Sequence, residues 1–175
     1  MSANIRPKPT ANTSDIARGI YIDGAFQPST GSELMDILSP SSGKIIETVA
    51  LSTETDVDRA VESAGRAFRS PDWAKMSVRT RARLINKLAD VLEAHLEELY
   101  QLETLNNGRP IRETRAQLAR VPELFRYNAA LALSKRDDVI PVEGEYLTYT
   151  KRLPVGVVAN ITPFNHPLLI ACRNL

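Results

Sequence analysis

The side chains best suited to chemistry crowd into one stretch: Asn165, His166 and Cys172. A cysteine near a histidine invites the reading of a thiol nucleophile with an adjacent base. Spacing opposes it. Cys172 lies six residues beyond His166, and six steps of about 100° place the two on well-separated faces of a helix. Cys172 also follows Leu169, Ile170 and Ala171, and cysteines in apolar surroundings are usually inert, so it reads as a packing residue. Asn165 has a better claim. It comes just after a short apolar run and just before a helix, and ligands of α/β sheets bind beyond the carboxyl ends of strands. Its amide could donate to a developing oxyanion, an interaction of about 2.7–4 kcal/mol in favourable sites. Asparagine is also a preferred helix N-cap, and spacing alone favours the cap.

Other chemistries find little support. The eight glycines include no G-x-G-x-x-G or Walker spacing, so composition points to no nucleotide. One cysteine and two distant histidines, His95 and His166, make a zinc site improbable. The lone cysteine also excludes an internal disulfide and fits a reducing, cytoplasmic setting. His95 lies at the edge of a leucine stripe and reads as structural. A formal net charge of +1 with 6% aromatic residues gives no basic, aromatic-interleaved surface for nucleic acid. No apolar run approaches the roughly 18 residues of a membrane span. Met1 to Asp15 is polar, contains Pro7 and Pro9, and lacks the apolar centre of a secretory signal. Residues 1–17 read as a disordered tail.

The elements that must position these side chains follow from periodicity and punctuation. Ile20 to Phe26 reads as two short strands about an Asp23-Gly24 turn. Leu34–Leu38 and Lys44–Ala50 are extended candidates about the turn-rich Ser39-Pro40-Ser41-Ser42-Gly43. Thr53 and Asp56 give a capping pattern ahead of Val57, Ala60, Val61, Ala64, Ala67 and Phe68 at helical spacing, with Pro71 ending the helix. A second helix, about Ser77 to Leu105, carries Leu84, Leu88, Leu92, Leu96 and Leu99, joined by Ile85 and Val91; Gly108 and Pro110 stop it. A third helical region runs from about Ile111 to Ser134, with a kink or break expected at Pro122. Asp138–Pro141 and Tyr146–Leu153 look like strands about Glu143-Gly144. Val155–Ile161 reads as a buried, parallel strand. Leu168 to Cys172 then begins a helix with Pro167 in its first turn.

A buried strand followed by a helix opens a β-α-β unit, which needs a finished crossover and a second strand. With Leu175 so soon after the turn, the chain reads as the front part of a longer architecture.

Leu153-Pro154-Val155-Gly156-Val157-Val158-Ala159-Asn160-Ile161-Thr162-Pro163-Phe164-Asn165-His166-Pro167-Leu168 closely resembles the first nucleotide-domain strand and turn of the NAD(P)-dependent aldehyde dehydrogenase superfamily. Tyr21-Ile22-Asp23-Gly24 resembles that family's first hairpin, Ser39 to Gly43 its N-P-x-T-G turn, and Leu102 to Pro110 its E-T/L-x-x-G-K-P helix end. The resemblance runs from about Ile20 to Leu175. It implies an α/β fold: an amino-terminal fragment with β-hairpins over 20–50, a helical layer over 53–134, an oligomerisation-type hairpin over 137–153, and the first strand and helix start of a Rossmann-like cofactor domain over 155–175.

The resemblance further implies oxidation of an aldehyde to an acid with NAD or NADP. A cysteine thiolate adds to the carbonyl, hydride passes to the nicotinamide, and the thioester is hydrolysed by water that a glutamate activates. Asn165 matches the oxyanion asparagine, which moves its reading from cap to catalysis. Ile161, Thr162, Pro163, Phe164 and Asn165 match a turn that lies against the cofactor. The family's nucleophilic cysteine, general-base glutamate and ribose-holding lysine match no residue here, and Cys172 does not stand at the nucleophile's position. Phe164 replaces a common Trp, His166 a common aromatic, and Asn106 an Asp that several relatives carry near a monovalent cation. The expected partners are a small aldehyde and either further copies of the chain or a full-length relative, with no nucleic acid and no membrane. The chain alone is expected to be inactive. The alternative is a non-catalytic interaction module that joins a full-length relative through exposed strand edges.

Overall fold

A computed structural model describes residues 19–175. The expected tail over 1–17 lies outside the described residues.

Three antiparallel hairpins punctuate a helical layer. In the first, β1 (Gly19–Ile22) pairs with β2 (Ala25–Pro28), with Ile22 opposite Ala25. Asp23 and Gly24 both take positive φ, at 59° and 79°, as a two-residue hairpin turn matched to the strand twist requires. In the second, β3 (Leu34–Leu38) pairs with β4 (Ile45–Ala50). Its connection is closed by Gly43 N–H donating to the Ser39 carbonyl at 2.8 Å. The third is shorter than its apolar pattern suggests: β5 (Val139–Ile140) and β6 (Thr148–Tyr149).

Helix α1 (Glu54–Arg69) starts where the capping pattern places it. Thr53 accepts from the Asp56 N–H, and Asp56 reciprocates at the Thr53 N–H. Pro71 does more than end this helix: it opens a short α2 (Pro71–Ala74) capped by Ser70.

The long second helix is two. α3 (Val78–Ala94) and α4 (Leu96–Asn107) meet at His95, whose φ of −108° and ψ of 9° leave the helical region. No glycine or proline marks the break in the sequence. It turns α4 so that Leu96, Leu99 and Tyr100 reach the same core as Ile85 and Leu92. The third region also divides, into α5 (Ile111–Leu118) and α6 (Arg120–Ser134). The break falls at Ala119, ahead of Pro122. Pro122 sits in the first turn of α6, where its missing N–H costs no helical bond.

α3 and α6 form the main helix pair. The core gathers Ala89, Tyr100, Leu118, Val121, Phe125 and Cys172. Fully burying a side chain such as Leu118 contributes about 1.5–3 kcal/mol. Arg126 of α6 reaches back to Asp90 and Glu93 of α3 at 2.7 and 2.6 Å.

The expected buried strand over Val155–Ile161 is not formed. These residues join no ladder among the described residues, and Val155 and Ile161 are 95% and 92% exposed. A central parallel strand draws its hydrogen bonds and its cover from neighbouring strands and helices, and residues 19–154 supply neither. The helix beyond it does form, as α7 (Pro167–Arg173), with Pro167 at its first position.

Candidate active site

Two motifs read separately in the sequence meet in the structure. The first is the end of α4, which closes at Gly108 in the left-handed conformation (φ 77°, ψ 8°). This reversal projects Arg109 back beside the helix. There its Nη1 donates to Glu103 Oε1 at 3.4 Å. The second is the turn Pro163–His166 ahead of α7. The same Nη1 lies 2.9 Å from His166 Nδ1 and 3.4 Å from the Asn165 carbonyl oxygen, to which it donates. Arg109 thus ties the two segments together across 56 and 57 residues.

The anchor beneath this contact is polar and shielded. Glu103 is 6% exposed, and its Oε2 is buried with no partner among the described residues. Thr104 donates to Thr114 at 3.1 Å, locking α4 to α5. The Arg109 N–H donates to Asn107 Oδ1 at 3.0 Å, which rigidifies the reversal. A buried charged pair broken on one side leaves an uncompensated charge, so the Arg109–Glu103 contact resists separation.

Asn165 is not the helix cap. That position belongs to His166, which makes no side-chain capping bond. The Asn165 side chain is exposed, and among the described residues no hydrogen bond engages its amide. Its backbone is therefore held by Arg109 while its side-chain N–H groups stay open. Thr162 is half-buried and Pro163 exposed. Ile161 and Phe164 present apolar surface, at 92% and 86% exposure.

Cys172 stands apart from this group. It is buried in the core beside Leu118, Val121 and Phe125, and burial pushes its thiol above the ordinary value. No hydrogen bond joins it to His166 among the described residues. The packing reading of Cys172 holds. His95, the other histidine, faces Glu98 at 3.4 Å on the surface. Among the described residues no group of three or more His, Cys, Asp or Glu could hold a metal ion, and no helix is long and apolar enough to cross a membrane. Asn106 is exposed.

The sequence reading missed Glu103 and Arg109 as parts of this site. The available signal was local: an acid in the last turns of a helix, a C-terminal glycine, then an arginine. Nothing in that spacing named the turn 56 residues away.

Residues 26–175 match the model of the aldehyde dehydrogenase family. DhaS of Bacillus subtilis, a protein assigned as an aldehyde dehydrogenase, is 44% identical over 153 residues, covering 87% of this chain and 31% of its own length. The mitochondrial aldehyde dehydrogenase of Equus caballus is 36% identical over 172 residues, covering 97% of this chain and 34% of its own. Among solved structures, the NAD+ complex of the aldehyde dehydrogenase from Bacillus cereus superposes with a TM-score of 0.87 at 36% identity, covering 97% of this chain and 35% of that one. The chain belongs to the aldehyde dehydrogenase family. It spans about a third of the length of these relatives, and it corresponds to their amino-terminal, α/β portion.

Proposed function

We propose that these residues form the amino-terminal part of an NAD- or NADP-dependent aldehyde oxidation site. Asn165 supplies its side-chain amide to the oxygen of the aldehyde carbonyl as negative charge develops there. The observation that carries this is the combination at Asn165: a backbone clamped by Arg109 and an amide left open. A donor fixed before the reaction need not reorganise as charge forms, which is what makes oxyanion donors effective.

Ile161, Thr162, Pro163, Phe164 and Asn165 are the residues that would hold the coenzyme. The fit rests on the exposed apolar faces of Ile161 and Phe164, which offer a flat ring a surface beside the open amide. When bound, the coenzyme supplies the hydride acceptor. The NAD+ complex of the Bacillus cereus relative supports the choice of coenzyme. The lone, unpaired thiol fits a reducing compartment such as the cytoplasm.

We further propose that the 175-residue chain by itself oxidises no aldehyde. Its one thiol is buried and held protonated, and a buried thiol with a raised pKa is a poor nucleophile. Two measurements test the reading. Aldehyde-dependent NADH or NADPH formation by the purified chain should be absent, and turnover would overturn the claim of inactivity. Joined to the complementary portion of a family member, the segment should support turnover that Asn165→Ala lowers about 10²–10³-fold in kcat. An unchanged kcat would remove Asn165 from the chemistry.

A second role in assembly is favoured by the β5–β6 hairpin. Val139, Tyr146, Leu147 and Tyr149 are 70%, 78%, 77% and 62% exposed, and a two-stranded ribbon leaves both edges available for pairing. Copies of this chain or a full-length relative are the partners it suits. Co-elution with such a relative in size-exclusion chromatography supports this reading; a chain that elutes alone at every ratio counts against it.

A further inference from the structure

We propose that Arg109 is a positioning residue for Asn165: anchored on buried Glu103, it holds the Pro163–His166 turn by donating to the Asn165 carbonyl and to a His166 whose Nδ1 is the unprotonated ring nitrogen. The role assigned to the Asn165 amide rests on the function proposed above; the clamp itself does not.

The chemistry of the donor decides the state of the ring. A guanidinium has five N–H donors and no acceptor. At 2.9 Å from Arg109 Nη1, His166 Nδ1 must therefore accept. An accepting Nδ1 means a neutral imidazole with its proton on Nε2. Nη1 carries two hydrogens and meets three acceptors, His166 Nδ1 at 2.9 Å and Glu103 Oε1 and the Asn165 carbonyl at 3.4 Å each. The short bond to His166 is thus the principal hold on the turn, and Glu103 acts mainly as the counter-charge that keeps Arg109 in place. The Arg109 side chain is 14% exposed and that of Glu103 5%, so water competes little for these hydrogens.

The chain carries its own reference. The other histidine, His95, has its Nδ1 3.4 Å from a Glu98 carboxylate oxygen. The His95 side chain is 59% exposed on the surface, and it serves as an internal control. Of the two histidines, only His166 should respond to changes at Arg109.

The test uses the 175-residue chain labelled with 15N and long-range 1H–15N correlation at pH 8, where neither aldehyde nor coenzyme is needed. In the wild-type chain His166 should show an unprotonated Nδ1 and a protonated Nε2. Arg109→Met should shift the His166 tautomer ratio about tenfold, as expected for losing one charge-assisted bond, and should move the Asn165 side-chain amide resonances, while His95 stays unchanged and reports an intact fold. Arg109→Lys, which keeps the charge and a donor without the fork, should hold the His166 tautomer but still move Asn165; it decides the matter if the methionine variant does not fold. His166→Asn places an acceptor where Nδ1 lay and should restore the Asn165 resonances that His166→Phe displaces. A protonated Nδ1 on His166, or Asn165 resonances indifferent to all four substitutions, overturns the proposal. Either result would remove the clamp from the case for Asn165, while the Asn165→Ala kcat measurement would still test its part in the chemistry separately.

Discussion

The Ser29 hydroxyl donates to Asp56 Oδ2 at 2.7 Å, binding the end of the first hairpin to the first turn of α1 across 27 residues. The Thr30 N–H donates to both carboxylate oxygens, at 3.2 and 3.1 Å, and the Thr53 N–H adds a further bond at 3.1 Å. Asp56 is 1% exposed. Burial alone would raise its pKa, but the bonds from Thr53, Ser29 and Thr30 outweigh that and hold the carboxyl well below the usual carboxylate range. With the native value depressed, its contribution to stability is fully present above the ordinary aspartate value of about 3.9. It is lost as pH falls below that through the native value. Wild type should therefore unfold at higher temperature than Asp56→Asn at pH 7, with the gap closing below about pH 4. A gap of constant size from pH 7 to pH 3 would contradict this.

Gly108 joins two of the motifs named in the sequence. It ends α4 with φ 77°, and a Cβ at this position would lie 3.0 Å from Pro40 Cβ and 3.3 Å from Pro40 Cγ. An L-residue in the left-handed region costs roughly 1–2 kcal/mol, and the proline ring adds crowding that cannot be relieved by rotating a flexible chain. Gly108→Ala should lower the urea midpoint by at least that equivalent. Gly108→Asn, which tolerates the backbone angle, should recover only part of the loss because its Cβ still meets Pro40.

Leu88 and Leu92 belong to one leucine stripe in the sequence but to different environments in the fold. Leu92 packs against the core, whereas Leu88 is 40% exposed. Leu92→Ala should cost about 1–3 kcal/mol. Leu88→Ala should stay within about 0.5 kcal/mol, as surface substitutions usually do. Leu118→Ala, at a site with no exposure, sets the upper mark at about 2–5 kcal/mol. Equal losses at 88 and 92 would mean that α3 presents a different face to α6.

These cases show what the sequence could disclose. Features written in a few neighbouring residues were legible: the Thr53–Asp56 cap, the Asp23-Gly24 hairpin, the Gly108 stop and Pro167 opening α7. Features that depend on a distant partner were not. Periodicity marked α3 as amphipathic but could not separate Leu92 from Leu88, since the buried edge is set by where α6 lies. The break at His95 has no glycine or proline to announce it. The apolar run Val155–Ile161 carries a strand's composition, yet a strand forms only beside another backbone. At the candidate site, the motif singled out Asn165, while Arg109 required the fold to bring residues 103–109 against 165–166.

The Cys172 thiol gives the last measurement. It lies 6% exposed among Leu118, Val121 and Phe125, and burial raises its pKa. Burial keeps reagents from the sulfur, and the raised pKa suppresses the thiolate, the only form that reacts readily. A thiol reagent at pH 8 should therefore modify the native chain at least about tenfold more slowly than the urea-unfolded chain. Leu118→Ala, which opens space beside the sulfur, should raise the native rate, and His166→Phe should not. Rapid modification of the folded wild-type chain would show a reachable sulfur and reopen the thiol-nucleophile reading that both spacing and burial reject.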